Sequence, residues 1–80
     1  MPSLKEDLKE RGWNILKEEG SKIYAKRELT EKLAVFFPNE PSEQEISKEY
    51  RSGFHPFEFT IEEKEVIYFD AISKEFVKEP

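Results

Sequence analysis

Residues 57–69 read Phe57-Glu-Phe-Thr-Ile-Glu-Glu-Lys-Glu-Val-Ile-Tyr-Phe69. Phe57, Phe59 and Ile61 alternate with polar residues, which is the period of a strand with one buried face. A second run of β-branched and aromatic residues follows a short charged turn, so the two runs predict a β-hairpin. Because an isolated hairpin is only marginally stable in water, helices elsewhere in the chain must cover its apolar face. The stretch therefore predicts an α+β fold.

Two pairing registers fit this hairpin. One places Phe59 opposite Tyr68, and a slip of one residue places Phe59 opposite Phe69 and Ile61 opposite Ile67. The slipped register has the more apolar inner face and is favoured, because burial usually sets register. The charged turn lacks Asn-Gly or Asp-Gly, which favours a longer loop built on a type I turn.

The N-terminal segment has two interpretations. Ser3-Leu-Lys-Glu6 is a capping-box pattern and predicts that a helix begins here. In the favoured interpretation the helix tolerates Gly12 and runs to about Glu19, and residues 23–25 form a third short strand. In the alternative, Gly12 ends the helix, and residues 13–17 pair with residues 22–26 as an early hairpin.

Two more helices are predicted before the hairpin. Leu29, Leu33 and Phe36 recur at helical spacing and predict a helix over about residues 27–37, which Pro38 ends. Ser42 and Glu45 form a second capping box. They predict a third helix over residues 42–52, with Ile46 and Tyr50 on its inner face and Gly53 past its end. The tail, residues 70–78, either extends the hairpin or forms a short helix. The chain is thus predicted to be one domain, residues 1–80, with three helices packed on a C-terminal β-hairpin.

This order of elements resembles the winged-helix superfamily. Residues 29–34 and 45–50 look like the two crossing helices of a helix-turn-helix unit, and residues 57–69 look like the wing. The resemblance implies that residues 42–52 are the recognition helix, which enters the major groove in DNA-binding members.

Charge changes what the resemblance implies about the partner. The implied recognition helix carries Glu43, Glu45 and Glu49 against Lys48 and Arg51, and residues 62–65 at the wing tip have a net charge of −2. Phosphates would repel both elements. Winged helices without a basic recognition surface are generally protein-binding modules, and the resemblance implies that role here.

Composition limits the class of protein. Eighty residues make one small core, and the absence of cysteine excludes disulfides and thiolate metal sites. No signal peptide or membrane-length apolar run is visible, so a cytoplasmic protein is expected. Glu and Lys dominate the charged 39%, with one Gln and two Asn, as is typical of thermophile proteins. The net charge of −5 divides into +1 for residues 1–39 and −6 for residues 40–80, which disfavours a nucleic-acid partner for the second half.

No residue pattern points to catalysis. His55 is the only histidine, and no spacing provides it with both an orienting carboxylate and a nucleophile, so it is interpreted as a loop or interface residue. The chain has two aspartates, and no acidic cluster has metal-ligand spacing. The glycines stand alone, without a phosphate-binding loop. The sequence predicts a non-enzymatic protein with no catalytic residue, metal site or cofactor.

The apolar run Leu33-Ala-Val-Phe-Phe37 suggests a contact surface. Five apolar residues would cover a whole helix circumference, whereas a two-layer domain buries only one stripe. Val35 and Phe37 are therefore candidate protein-interaction residues at the surface, unless the helix end is tucked under the hairpin as core.

Two functions follow from the sequence. The first is a small regulatory or accessory protein that acts through protein–protein contacts, of which a homodimer is one form. The alternative is a winged-helix DNA-binding transcriptional regulator, whose contacts would come from basic residues in two segments. These residues are Lys22, Lys26, Arg27, Lys48 and Arg51.

Overall fold

The computed structural model describes residues 3–80 and has, in that range, two α-helices and six β-strands. In chain order they are α1 (Leu4–Glu10), β1 (Trp13–Glu19), β2 (Lys22–Arg27), β3 (Leu33–Phe37), α2 (Glu43–Arg51), β4 (His55–Glu62), β5 (Glu65–Asp70) and β6 (Phe76–Val77). The strands form one sheet in the order β1-β2-β3-β4-β5-β6. Every neighbouring pair is antiparallel except β3 and β4, which are parallel and are joined by α2. The α+β class is confirmed. The prediction of three helices packed on a hairpin is wrong, because the described residues form two helices and a six-stranded sheet.

The first helix is short because Gly12 ends it. Ser3 caps α1, since its Oγ accepts a hydrogen bond from the Glu6 N–H at 3.2 Å. Gly12 has a φ of +91°, in the left-handed region that favours glycine at a helix end. The chain then enters the β1–β2 hairpin, so the helix to Glu19 is wrong and the alternative early hairpin is confirmed.

The helix predicted over residues 27–37 is also wrong. Leu29 lies in a turn and is 95% exposed, and the apolar run forms β3. This strand lies between β2 and β4, with both of its faces buried. A strand buried on both faces is continuously apolar, and periodicity cannot distinguish it from a buried helix segment. Without this helix, residues 3–80 contain two helices instead of the three that were predicted.

The third predicted helix is confirmed as α2. The Glu45 N–H donates to Ser42 Oγ at 3.2 Å, and Gly53 follows the helix with a φ of +95°. Its inner face differs from the prediction: Tyr50 is 60% exposed, whereas the charged Glu49 is buried.

The C-terminal hairpin adopts the register that was not favoured. Phe59 lies opposite Tyr68, and the turn has only two residues, of which Glu63 has a φ of +53°. The longer loop is therefore wrong. The reason is a polar contact, because Tyr68 faces α1 and donates its hydroxyl proton to Asp7 Oδ2 at 2.6 Å. The slipped register would have placed Tyr68 on the opposite face.

Each face of the sheet has its own core. The larger one, the α1-face core, comprises Leu4, Leu8, Trp13, Ile23, Ala25, Ala34, Phe36, Phe59, Val66 and Tyr68. On the other side, the α2-face core comprises Tyr24, Val35 and Phe37, with Phe54 packed against them. Two thin layers of helix thus cover a central sheet, and β3 contributes to both cores.

Replacing Leu8 by Ala tests the α1-face core. Leu8 is fully buried, so Leu8→Ala should lower the free energy of unfolding by about 2–5 kcal/mol through lost burial and a residual cavity. Leu29→Ala is the matched control. It should change the free energy of unfolding by less than about 0.5 kcal/mol, because Leu29 is exposed. Urea denaturation followed by the fluorescence of buried Trp13 measures both, and equal losses would contradict the burial pattern.

Candidate functional site

A groove of about 1020 Å³ opens on the α1 face of the sheet, where β3 and β4 begin. Its walls include the aromatic side chains of Trp13, Tyr50 and Phe57, and its polar groups include His55 and Asp70. A large groove with a few convergent polar groups is the usual form of a ligand site. Its side-chain contacts therefore decide which chemistry it could support.

His55 and Asp70 form the central pair of this groove. His55 Nε2 lies 2.7 Å from Asp70 Oδ2, while Asp70 Oδ1 accepts the backbone N–H groups of Ile72 at 2.8 Å and Ser73 at 3.1 Å. Burial acts to raise the pKa of Asp70, but these hydrogen bonds outweigh it and hold that pKa below its ordinary value. An ionised Asp70 therefore orients the imidazole ring, and His55 is the first residue of β4 rather than a loop residue.

The pair lacks the third member of a nucleophilic site. Within residues 3–80 the only side-chain hydrogen bond of His55 is to Asp70, so no hydroxyl is aligned for deprotonation. Arg27, one of the two basic residues in the groove lining, is also engaged, because its guanidinium donates to the Pro80 carbonyl and lies 5.4 Å from the centre of the Trp13 ring. The buried Trp13 Nε1 has no hydrogen-bond partner in the described chain. These contacts give an oriented hydrogen-bonding group but no assembled catalytic constellation.

A buried polar cluster of Lys22, Tyr24 and Glu49 connects α2 to the sheet. Glu49 accepts a hydrogen bond from the Tyr24 hydroxyl, and its Oε2 lies 3.3 Å from Lys22 Nζ. Burial and the carboxylate of Glu49 raise the pKa of Tyr24, and the neighbouring Tyr24 and Glu49 raise the pKa of Lys22. Because its polar groups satisfy one another under the helix, this cluster has a structural role.

The basic residues predicted to contact nucleic acid do not share one surface. Lys22 is paired with Glu49 beneath α2, and Arg27 is bound to the tail on the opposite face. Lys48 and Arg51 line a shallow depression on the outer side of α2, together with the acidic Glu43. Lys26 is half-buried on β2, on the same face of the sheet as Lys22 because the two are four residues apart on one strand. The fold therefore divides these five cations among three regions.

The two predicted protein-interaction residues are not on the surface. Val35 is completely buried and Phe37 is 4% exposed, and both pack in the α2-face core against Tyr24 and Phe54. The reason is that the segment is a central strand, whose alternate side chains face the two helix layers. The interpretation of this run as core describes its position correctly.

An exposed surface lies elsewhere, on the part of the α2 face formed by β4, β5 and β6. We call it the acidic apolar face, and define it by Glu62, Glu65, Ile67, Phe69 and Phe76. Ile67 and Phe69 alternate with the buried Val66 and Tyr68, so they point away from α1. Phe76 lies opposite Phe69 and is 63% exposed, with the two ring centres 6.1 Å apart.

Charge is unevenly balanced across this face. Near one end Lys74 Nζ lies 3.4 Å from Glu40 and 3.9 Å from Glu58, which neutralises that end in part. At the hairpin end Glu62 lies directly opposite Glu65. Among residues 3–80 neither of these two carboxylates has a salt-bridge partner within 4 Å. Like charges in directly opposite positions repel, so this end retains unbalanced negative charge.

Sequence reasoning missed this face for two reasons. The slipped register assigned Phe69 to the interior. The structure of the tail was left open between strand and helix, so the position of Phe76 was not predicted. The acidic turn was visible, but its position beside an apolar strip depends on which strands α2 covers. The signal available in the sequence was the alternation of the hairpin. In the correct register it places Ile67 and Phe69 opposite the polar Thr60 and Glu58, on the outer face.

Residues 3–80 contain neither a cluster of metal-ligating side chains nor a membrane-spanning helix. No group of three or more His, Asp or Glu side chains there could hold a metal ion. Neither helix is long and apolar enough to cross a membrane.

Comparison with known proteins adds no assignment. Neither a family model, nor a curated protein, nor a solved structure matches this chain. Function must therefore be argued from surfaces and sites rather than from fold.

The contacts of Asp70 predict a pH dependence of stability. Because its pKa is lower in the folded protein, its ionised form contributes stability above its unfolded-state pKa of about 3.9, and that contribution is lost as pH falls through the lower folded-state pKa. Asp70→Asn should therefore reduce the free energy of unfolding at pH 7, and the difference from wild type should shrink between about pH 5 and 3. Glu43→Gln, an exposed change on α2, serves as the control. Urea denaturation across this range measures the difference, and a constant difference would contradict the role of Asp70.

Proposed function

We propose that the protein is a non-enzymatic regulatory or accessory module that binds a partner protein through its acidic apolar face. The observation that carries the proposal is the exposure of Phe76, 63%, beside Phe69 and Ile67 on a part of the sheet outside the α2-face core. Phe69 and Ile67 are half-buried, so the three side chains form one apolar patch that is partly open to solvent. Such patches on a small protein commonly mark an interaction site.

Burial of the apolar side chains of this face would favour binding of a partner. Phe76 and Phe69 are in edge-to-face contact, so a partner can cover both rings at once. Removing a large apolar side chain from water is worth about 1.5–3 kcal/mol. Aromatic residues near the centre of a patch often dominate binding energy. Phe76 is therefore the expected anchor.

The charged part of the face indicates the kind of partner. Glu62 and Glu65 are unpaired and adjacent, and residues 40–80 carry a net charge of −6. A basic partner would relieve their repulsion and associate faster through electrostatic steering. A second copy docked through the same face would bring these acids together. The proposal therefore commits to a different, basic protein rather than to a homodimer.

The same charges argue against nucleic acid. Duplex DNA would meet repulsion at the acidic apolar face, and the five candidate cations lie in three separate regions, with Lys22 and Arg27 already engaged. Because non-specific affinity comes mainly from neutralised phosphates, this distribution supports a protein partner instead.

Photo-crosslinking from position 76 tests the proposal. A photoreactive phenylalanine analogue replacing Phe76 should crosslink one basic protein in an extract of the native host. The same analogue at Leu29, which is 95% exposed at a distant turn, should not. The double variant Glu62→Lys and Glu65→Lys should abolish the product, because it reverses the local charge.

Titration with the purified partner completes this test. Phe76→Ser should raise the dissociation constant by at least about 10-fold, and Leu29→Ser should change it by less than about 2-fold. A crosslinked homodimer, or an equal effect of both substitutions, would overturn the proposal.

A gel-shift series tests the alternative partner. Because duplex DNA should be repelled, the protein should not retard it even at about 50 mM salt. Retardation that Lys48→Gln and Arg51→Gln together abolish would show that nucleic acid, and not a protein, is the partner.

A further inference from the structure

The outer edge of β5 is unpaired over its first three residues, 65–67. β4 pairs with all six residues of β5, whereas β6 pairs with only Tyr68 and Phe69. The edge beside residues 65–67 is therefore open. An open strand edge presents N–H and C=O groups that a further strand can use.

The direction of the free backbone groups can be derived from one hydrogen bond. The Asp70 N–H donates to the Glu75 carbonyl at 2.8 Å, so the backbone of Asp70 faces the β6 side. Backbone groups of successive residues point to alternate sides of a strand, which places those of Tyr68 and Val66 on that side too. Val77 pairs with Tyr68, but no residue of β6 reaches Val66. The N–H and C=O of Val66 thus face the open edge.

Two arginines explain why β6 ends so early. Arg11 Nη1 donates to the Lys78 carbonyl at 3.1 Å, and Arg27 donates to the Pro80 carbonyl. Arg11 is itself held by Asp7 Oδ2 at 2.7 Å. These bonds draw the tail across the α1 face instead of along β5. The open edge is consequently a product of specific contacts.

The space beside this edge can receive side chains. A depression of about 380 Å³ lies beside this edge, between α1 and β5, and its lining includes Val66 and Tyr68 together with the charged Asp7, Arg11, Lys64 and Lys78. On the other side of the edge lies the acidic apolar face. A strand added here would place alternate side chains in the depression and over that face.

The opposite edge of the sheet is less suited to this pairing. A β-bulge interrupts β1 between Ile15 and Lys17, and the charged Lys17, Glu18 and Glu19 follow it. Bulges and charges are the usual protection against added strands. The register of β4 with β5 has no interruption, so β5 offers the regular edge.

We infer that the partner supplies an extended segment that adds to the β5 edge as a new strand and hydrogen-bonds with Val66. Its basic side chains lie on the side of Glu62 and Glu65, and its intervening apolar side chains lie on the side of the depression, against Val66 and Tyr68 and among charged neighbours. Such strand addition combines main-chain bonds for affinity with alternate side-chain positions for selectivity. This inference rests on the proposed function, because it specifies how the basic partner docks.

An isotope-labelled sample of the whole chain and a short, capped peptide of alternating lysine and valine test the inference. In backbone NMR, the peptide should shift the Val66 amide and slow its hydrogen exchange at least about 10-fold, because that N–H gains a partner. The matched control is the same peptide with N-methylated valines, which keeps charge and shape but lacks those donors. It should bind at least about 10-fold more weakly.

Each outcome separates the docking mode from the proposed function. Equal binding of both peptides, with shifts at Phe69 and Phe76 but not at Val66, would overturn strand addition and leave the acidic apolar face as the binding surface. Shifts along β1 instead, or no binding of either peptide, would overturn strand addition. Slow exchange of the Val66 amide before any peptide is added would also overturn it, since the edge would already be occupied by the chain's own tail.

Discussion

The central strand β3 imposes the main constraint on this structure, because its side chains must be kept from water on both faces. Ala34 and Phe36 face α1, while Val35 and Phe37 face α2. A small sheet with one apolar face could leave the other in solvent, but this one cannot. The chain therefore needs a helix on each side, and it places α2 there by crossing between two parallel strands. That crossing also brings β4 beside β3 and so positions the C-terminal hairpin.

Local signals predicted where both helices begin and where α2 ends. Ser3 and Ser42 act as caps, and Gly53 follows α2, because capping depends on residues close in sequence. The end of α1 at Gly12 was only the alternative interpretation, because a glycine can also be tolerated inside a helix. The apolar run of β3 was assigned to a helix, since a continuously apolar segment carries no period that distinguishes the two structures. The hairpin register could not be obtained locally either. It depends on the hydrogen bond between Tyr68 and Asp7, which are 61 residues apart in the chain.

Prediction of the candidate site was limited by the same long-range dependence. The negative charge of the second half and the value of an apolar contact surface were visible in the sequence. Which apolar residues form that surface was not, because exposure of Phe76 depends on where α2 ends and on the path of the tail. His55 shows the same dependence. Its orienting partner Asp70 lies at the far end of the neighbouring strand, and only the pairing of β4 with β5 brings the two together.

The strand order has a consequence for how the chain folds. Strands β1, β2 and β3 form one antiparallel meander, and β4, β5 and β6 form another, so most contacts within each half join residues close in the chain. Only the parallel pairing of β3 with β4 joins the halves through the sheet, and it requires closure of the loop that contains α2. Forming local contacts is fast, whereas closing a loop around a helix costs chain entropy before any contact is gained. The rate of folding should therefore be governed by the step in which two preformed meanders dock through the pairing of β3 with β4.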